Sequence, residues 1–170
     1  AEWSPYHGAA YAVIEATARL VAAGAKWSQA RFSYQEYFER MDKQAERFGQ
    51  PVAALLGSIE AQIQLGLPSI GGKDSMSGTF EELTVPPTLV AFGVTTADSR
   101  KVLSPEFKNA GENIYYIPGQ ALSAEIDFDL IKSNFAQFEA LQKAHKVTAA
   151  SAVKYGGVLE SLALATFGNH

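Results

Sequence analysis

The 170-residue chain contains no cysteine. It can therefore form no disulfide framework, no thiolate-ligated zinc site and no cysteine nucleophile. Histidine is also scarce, because the chain has only His7, His145 and His170, and these lie far apart in the sequence. Without the close spacing of paired metal ligands, the histidines predict no zinc site.

The chain also lacks a long hydrophobic run. No apolar stretch reaches the ~18 residues of a membrane-spanning helix, and the opening Ala-Glu-Trp-Ser-Pro does not have the basic and then apolar order of a signal peptide. The net charge is -4, and the basic residues are scattered. We therefore expect a cytoplasmic protein that binds a small molecule and neither nucleic acid nor a membrane.

The two ends of the sequence resemble cut ends. The chain does not begin with methionine, and it stops within an apolar helical pattern that has no polar cap. We expect a fragment of a longer polypeptide. Its 47% hydrophobic content is nevertheless typical of a folded globular protein.

Hydrophobic periodicity predicts five helices and two strands. The predicted helices cover residues 8–23, 33–48, 51–65, 127–146 and 157–167, and the predicted strands cover 88–96 and 113–117. Residues 67–80, which are short and rich in glycine, are predicted to pass from a strand into a loop. The helix at 33–48 depends on Ser33 and Glu36, which have the spacing of a capping box. The strand at 88–96 has apolar residues at both its odd and its even positions, which predicts burial on both faces or in a barrel.

The charged segment 99–111 contains proline, asparagine and glycine, as is typical of a surface connection between two packed units. We therefore predict a domain boundary at its end, between residues 111 and 112. The mixture of helices and strands indicates the α/β or the α+β class, and periodicity does not decide between them.

One glycine-rich segment holds most of the residues that could bind a ligand. Residues 71–79 read Gly-Gly-Lys-Asp-Ser-Met-Ser-Gly-Thr. Adjacent glycines can turn successive N–H groups into a concave nest for phosphate oxygens, and a lysine and hydroxyl groups would strengthen such a site. The carboxylate of Asp74 could bind Mg²⁺, which prefers oxygen ligands.

The same composition also suits a tight turn in which Lys73 and Asp74 are simply solvated. A Walker A phosphate-binding loop is excluded, although Gly66 and Gly71 have the correct spacing. Gly72 stands where that motif requires lysine, and Asp74 follows Lys73 where it requires serine or threonine.

Residues 66–79, Gly-Leu-Pro-Ser-Ile-Gly-Gly-Lys-Asp-Ser-Met-Ser-Gly-Thr, resemble a segment of the long-form phosphoribosylformylglycinamidine synthases, G-[IL]-P-x-x-G-G-K-D-S-M-S. The likeness extends to Pro-Tyr-His-Gly at 5–8, to Val-Pro-Pro-Thr-Leu-Val-Ala-Phe-Gly-Val at 85–94 and to Gly-Gly-Val-Leu-Glu at 156–160. It therefore spans essentially the whole chain.

The resemblance implies an ATP-dependent and Mg²⁺-dependent ligase of purine biosynthesis. Members of this family activate the amide oxygen of formylglycinamide ribonucleotide, and ammonia from glutamine then displaces phosphate. They consist of two paired halves, each with two aminoimidazole ribonucleotide synthetase-like domains. By this resemblance, residues 1–111 are the end of the first domain type, which contributes to a central barrel, and residues 112–170 are the beginning of the second, α/β type.

The resemblance also implies roles for individual residues. Gly71 and Gly72 would approach the nucleotide phosphates, and Ser75 would contact the ribonucleotide substrate. Lys73 stands where short-form relatives have a metal-binding asparagine, so we expect it to contact phosphate and substrate. Asp74 would be the metal ligand or an orienting carboxylate. No residue is assigned a catalytic role, and we expect the isolated fragment to be inactive.

The sequence departs from the family pattern near its end. Many long-form members carry H-D-x-S-D-G-G before the final helix, whereas residues 151–157 read Ser-Ala-Val-Lys-Tyr-Gly-Gly. Ala152 replaces a magnesium ligand, and Lys154 adds a positive charge. We therefore predict no divalent metal at this segment and a role for Lys154 either in nucleotide binding or on the solvated surface.

Two readings of function stay open at this point. In the first, the fragment contributes to the catalytic ATP and ribonucleotide site. In the second, it belongs to the non-catalytic half, which scaffolds the barrel and holds a structural nucleotide. In both, the main partner is the remainder of the parent polypeptide, and strand 88–96 could also drive self-association into a homo-oligomer.

Overall fold

The computed structural model describes residues 3–119 and 125–168 of the chain. It contains helices and small sheets, which confirms the predicted mixed helix and strand class. The chain divides into two compact units: residues up to Ala16 together with Ser28–Val94, and Thr17–Trp27 together with the residues from Thr95 onward. The predicted boundary between two synthetase domains at 111 and 112 stays a prediction.

The elements of the described residues follow in chain order. The helices are α1 (Pro5–Ala22), α2 (Ala45–Leu65), α3 (Phe128–Lys143) and α4 (Gly157–Thr166), with 3₁₀ turns at Trp27–Gln29 and Ser99–Lys101. The strands are β1 (Arg31–Tyr37), β2 (Ser69–Ser75), β3 (Thr79–Phe80), β4 (Leu83–Thr84) and β5 (Thr88–Val94). No helix in the described part of the chain is both long and apolar enough to span a bilayer.

A three-stranded sheet in the order β2-β1-β5 forms the centre of the first unit. Strand β1 is parallel to β2, to which α2 connects it, and antiparallel to β5. Parallel neighbours require such a crossover connection, since a tight turn cannot return the chain to the same end. Strands β3 and β4 pair with each other as a separate short hairpin.

The core of the first unit lies where the helices meet the sheet. Phe38, which directly follows β1, is fully buried against Ala9 of α1 and Ala54 of α2, and Leu89 of β5 packs against the same cluster. The buried side of α2 carries mostly small residues, so that the helix can approach its neighbour closely. A Cβ atom built at Gly57 would lie 1.9 Å from the main-chain oxygen of Tyr6.

The predicted helix at 33–48 is wrong, because residues 31–37 form strand β1. Their aromatic residues alternate with period two rather than with helical spacing, and Phe32 and Tyr34 stack with their ring centroids 5.9 Å apart. The predicted capping box is therefore absent. Helix α2 begins at Ala45, so Pro51 lies within the helix and not in its first turn.

The predicted strand at 88–96 is confirmed as β5, but its predicted burial on both faces is wrong. Phe92 and Val94 are 54% and 68% exposed, whereas Leu89 packs against the core. Only one face of β5 is covered in the described residues. The other face remains open to solvent at this strand.

In the second unit, the two helices predicted near the end of the chain are confirmed as α3 and α4. Asp127 caps α3 by accepting a hydrogen bond from the main-chain N–H of Leu130 at 2.9 Å. Phe135 of α3 packs against Trp27, with ring centroids 5.6 Å apart. The indole ring of Trp27 thereby lies against this helix.

The predicted strand at 113–117 is wrong, since residues 112–119 have no regular structure. Ile114, Tyr115 and Tyr116 are mostly exposed. A strand needs a neighbour that satisfies its backbone hydrogen bonds, and the described residues of the second unit contain no strand to pair with.

Candidate functional site

All five residues of the predicted phosphate-binding loop lie in a strand. Residues 71–75 form most of β2, which pairs along β1 in parallel register. The prediction that adjacent glycines form a concave nest is therefore wrong, because an extended backbone points successive N–H groups in opposite directions. Any ligand site here is built from side chains along the strand.

Strand alternation places Lys73 and Ser75 on the same side of β2. The Nζ atom of Lys73 donates a hydrogen bond to Oγ of Ser75 at 2.8 Å and lies 3.3 Å from the main-chain oxygen of Asp74. Lys73 is exposed, and Ser75 is partly exposed. A cation and a hydroxyl group thus stand together at an accessible surface of an edge strand, which suits the oxygens of an anion.

Asp74 lies on the opposite side of β2, beside Glu36 of β1. The two residues are register partners, and a hydrogen bond joins their side chains. Glu36 is 5% exposed, and its Oε1 atom has no hydrogen-bond partner among the described residues. The structure therefore brings Asp74 together with a second, buried carboxyl group rather than with Lys73 and Ser75.

Burial is the main cause of a raised pKa at Glu36. Together with the hydrogen bond to Asp74 and the repulsion between the two carboxylates, it raises the pKa of Glu36 from its ordinary value of 4.5 to about 7. Near neutral pH, Glu36 is thus partly protonated, and its carboxyl group can donate a hydrogen bond to the side chain of Asp74.

The glycines at the centre of β2 differ in their surroundings. A Cβ atom at Gly72 would lie 2.9 Å from the main-chain oxygen of Tyr34 on β1, whereas one at Gly71 would meet no atom within 4 Å. Tyr34 itself is partly buried, and burial raises the pKa of its hydroxyl group. Gly72 therefore permits the close approach of the two strands, and only Gly71 leaves open space for a ligand.

Lys154 belongs to the second unit and is exposed in the irregular segment before α4. The nearby main-chain N–H of Gly156 donates to Oε2 of Glu160 at 3.1 Å. A carboxylate of the chain itself therefore occupies the beginning of this helix, where an anion would otherwise be stabilised. Among the residues that the structure describes, no three side chains of histidine, aspartate or glutamate come together as a metal site.

Glu36 is the residue of this site that sequence reasoning missed. It was assigned to a helix cap, although the alternation of Phe32, Tyr34, Glu36 and Phe38 has the period of a strand. This period places Glu36 at a position of the buried face. A carboxyl group at such a position signals either a partner or a raised pKa.

The comparisons with known proteins add no assignment. No protein-family model matches the chain, and no curated protein matches it.

Proposed function

We propose that the chain binds the phosphate groups of a nucleotide at the exposed side of β2, as part of an ATP-dependent ligase of the phosphoribosylformylglycinamidine synthase class. The observation that carries the proposal is the contact between Lys73 Nζ and Ser75 Oγ at 2.8 Å on an exposed edge strand. The resemblance of residues 66–79 to that family supports the choice of a nucleotide.

The physical argument concerns what an anion would gain at this position. Lys73 offers a mobile ammonium group with three donors, and Ser75 offers a hydroxyl group that can orient a phosphate oxygen. Gly71 adds no side chain that would block the approach. Charge-assisted hydrogen bonds of this kind are each worth about 1.5–3 kcal/mol.

The residues of β2 fit phosphate better than they fit a metal-bridged nucleotide. Mg²⁺ is usually bound by one or two carboxylates together with the phosphates of the ligand. Asp74 and Glu36 could offer two carboxylates, but they lie on the side of the strand opposite to Lys73 and Ser75. We therefore propose no Mg²⁺ site beside Lys73 and Ser75.

This separation favours the non-catalytic reading of the site over the catalytic one. A site that turns ATP over needs the metal and the phosphate-binding groups on the same side, because the metal neutralises the charge that develops during transfer. A site that only holds a nucleotide needs the phosphate contacts alone. We propose a nucleotide-holding role for this part of the ligase.

Calorimetric titration of the 170-residue chain with ATP and with ADP, each with and without Mg²⁺, tests the proposal. We expect binding that does not require Mg²⁺. Lys73→Ala should weaken the affinity by about 10-fold or more, in keeping with the loss of one charge-assisted hydrogen bond.

Lys43→Ala is the matched control, since Lys43 is an exposed lysine of the same unit that lies outside β2. This variant should bind like the unchanged chain. The proposal fails if the chain binds neither nucleotide, or if the two lysine variants bind with equal affinity. Binding that requires Mg²⁺ would instead favour the catalytic reading.

A further inference from the structure

A stripe of large apolar side chains lies exposed along one side of α2. The stripe consists of Phe48, Val52, Leu55, Leu56, Ile59 and Ile63. These side chains are between 39% and 69% exposed. At 3.6 residues per turn they fall within an arc of about 100°.

The stripe lies on the side of α2 that faces away from the core. The buried positions of the helix are Pro51, Ala54, Gly57, Ser58, Ala61 and Leu65. An ordinary surface helix has its large apolar residues on the buried side and its charges on the exposed side. Helix α2 has small residues on the buried side and large apolar residues outside, so the outer side is built for a second contact.

The spacing of the stripe has a two-fold symmetry. Its six positions are arranged symmetrically about the midpoint between Leu55 and Leu56. When a second α2 helix runs antiparallel across this midpoint, Phe48 of each copy meets Ile63 of the other. Val52 likewise meets Ile59, and Leu55 meets Leu56. Such self-complementarity is the requirement of an isologous dimer interface.

We propose that the chain forms a homodimer in which the stripes of two α2 helices pack antiparallel about a two-fold axis near Leu55 and Leu56. Apart from the adjacent Leu55 and Leu56, successive members of the stripe are three or four residues apart, as in packed helix seams. Antiparallel packing also places the positive beginning of each helix beside the negative end of the other.

The charges of α2 and the size of the stripe are both compatible with a second copy of the chain as its partner. The charged residues of α2 are Glu46, Arg47 and Glu60, and none belongs to the stripe. Isolated monomers rarely expose apolar patches beyond ~300–600 Å², and standard interfaces bury roughly 800 Å² per partner. An uncovered face of six large apolar side chains is thus unusual for an isolated monomer. The inference does not depend on the proposed nucleotide site, because no residue of β2 takes part.

Sedimentation equilibrium over a concentration series gives the first test. We expect a monomer–dimer equilibrium for the unchanged chain. Leu56→Glu should raise the dissociation constant by at least about 30-fold, because it places two carboxylates in an apolar contact near the axis. Leu56 is exposed, so this change should leave the circular dichroism spectrum of the monomer unchanged.

Phe92→Glu is the matched control on another exposed apolar surface of the first unit, the open side of β5. It should leave the dimer intact. A monomeric chain at every concentration would overturn the proposal. Dissociation by Phe92→Glu but not by Leu56→Glu would also overturn it, since the contact would then be made by β5.

Single introduced cysteines test the direction of packing, because the chain has none of its own. Under the two-fold arrangement, two copies of Leu56→Cys lie next to each other and should react with a short bis-maleimide. Two copies of Ile63→Cys lie ~22 Å apart along the helix axis, at 1.5 Å per residue, and should not react. Equal cross-linking of both variants would indicate parallel packing and contradict the proposal.

Discussion

The carboxyl group of Glu36 lies beside that of Asp74, across the parallel pair of strands β1 and β2. Glu36 is buried, whereas Asp74 is exposed. Burial is the larger cause and the neighbouring Asp74 the smaller one, and together they raise the pKa of Glu36 to about 7. The stability of the chain therefore depends on pH in a predictable direction.

We predict that the free energy of unfolding falls as pH rises from about 4.5 to about 7. The folded chain holds the proton of Glu36 more tightly than the unfolded chain does, in which the pKa has its ordinary value of 4.5. Below that value both states are protonated, and above about 7 the loss is complete. At about 1.4 kcal/mol per pKa unit, the loss amounts to about 3 kcal/mol.

Glu36→Gln should remove most of this pH dependence, because glutamine stays neutral while its amide can still donate to Asp74. In urea denaturation, this variant should be more stable than the unchanged chain at pH 8 but not at pH 5. Glu82→Gln, at an exposed glutamate of the same unit, is the control and should follow the unchanged chain. Identical pH profiles for all three chains would show that Glu36 is not a buried acid.

Much of the helical structure could be predicted from the sequence, and the part that failed has a physical explanation. Periodicity predicts α1, α3 and α4 to within three residues at each end, and the predicted helix at 51–65 lies within α2. The prediction for residues 31–37 is wrong because Tyr37 and Phe38 fit both a helical and an alternating pattern. Pairing with β2 and β5 decided between these patterns, and local spacing does not report pairing.

The site could be predicted in composition but not in arrangement. Lys73, Asp74 and Ser75 were found as a group because cation, carboxylate and hydroxyl stand together in the sequence. Successive side chains of a strand point to opposite faces, so Asp74 lies beside Glu36 and not on the face that carries Lys73 and Ser75. Glu36 is 38 positions away from Asp74, and only the β1-α2-β2 crossover brings the two together.

We predict that Gln142→Ala destabilises the second unit by about 2 kcal/mol, since two net hydrogen bonds are lost. The Nε2 atom of Gln142 donates to the main-chain oxygens of Gly24 at 3.0 Å and of Lys101 at 3.1 Å. Urea denaturation, followed through Trp27 fluorescence in a Trp3→Phe background, measures this. Gln137→Ala, at an exposed position of the same helix, should change little; equal losses would contradict the assigned role.

The two glycines of β2 should respond differently to alanine. Gly72→Ala forces a Cβ atom against the main chain of Tyr34, which cannot move without disturbing the strand pair, so a loss of about 1–3 kcal/mol is expected. Gly71→Ala meets open space and should be nearly neutral in stability. Thermal unfolding measured by circular dichroism distinguishes them. Equal stabilities would mean that the strands are not packed as closely as described.

The last prediction concerns two glycines of α2 that are eight residues apart. Gly57→Ala places a Cβ atom 1.9 Å from the main-chain oxygen of Tyr6, so α1 and α2 must separate, and we expect a loss of about 1–3 kcal/mol or more. Gly49→Ala meets no atom within 4 Å and should instead gain about 0.5–1 kcal/mol, because alanine favours the helix over glycine. The same helix thus gives opposite signs for one chemical change. Urea denaturation of both variants measures the difference, and a gain at both positions would show that Gly57 does not mark a close contact between the helices.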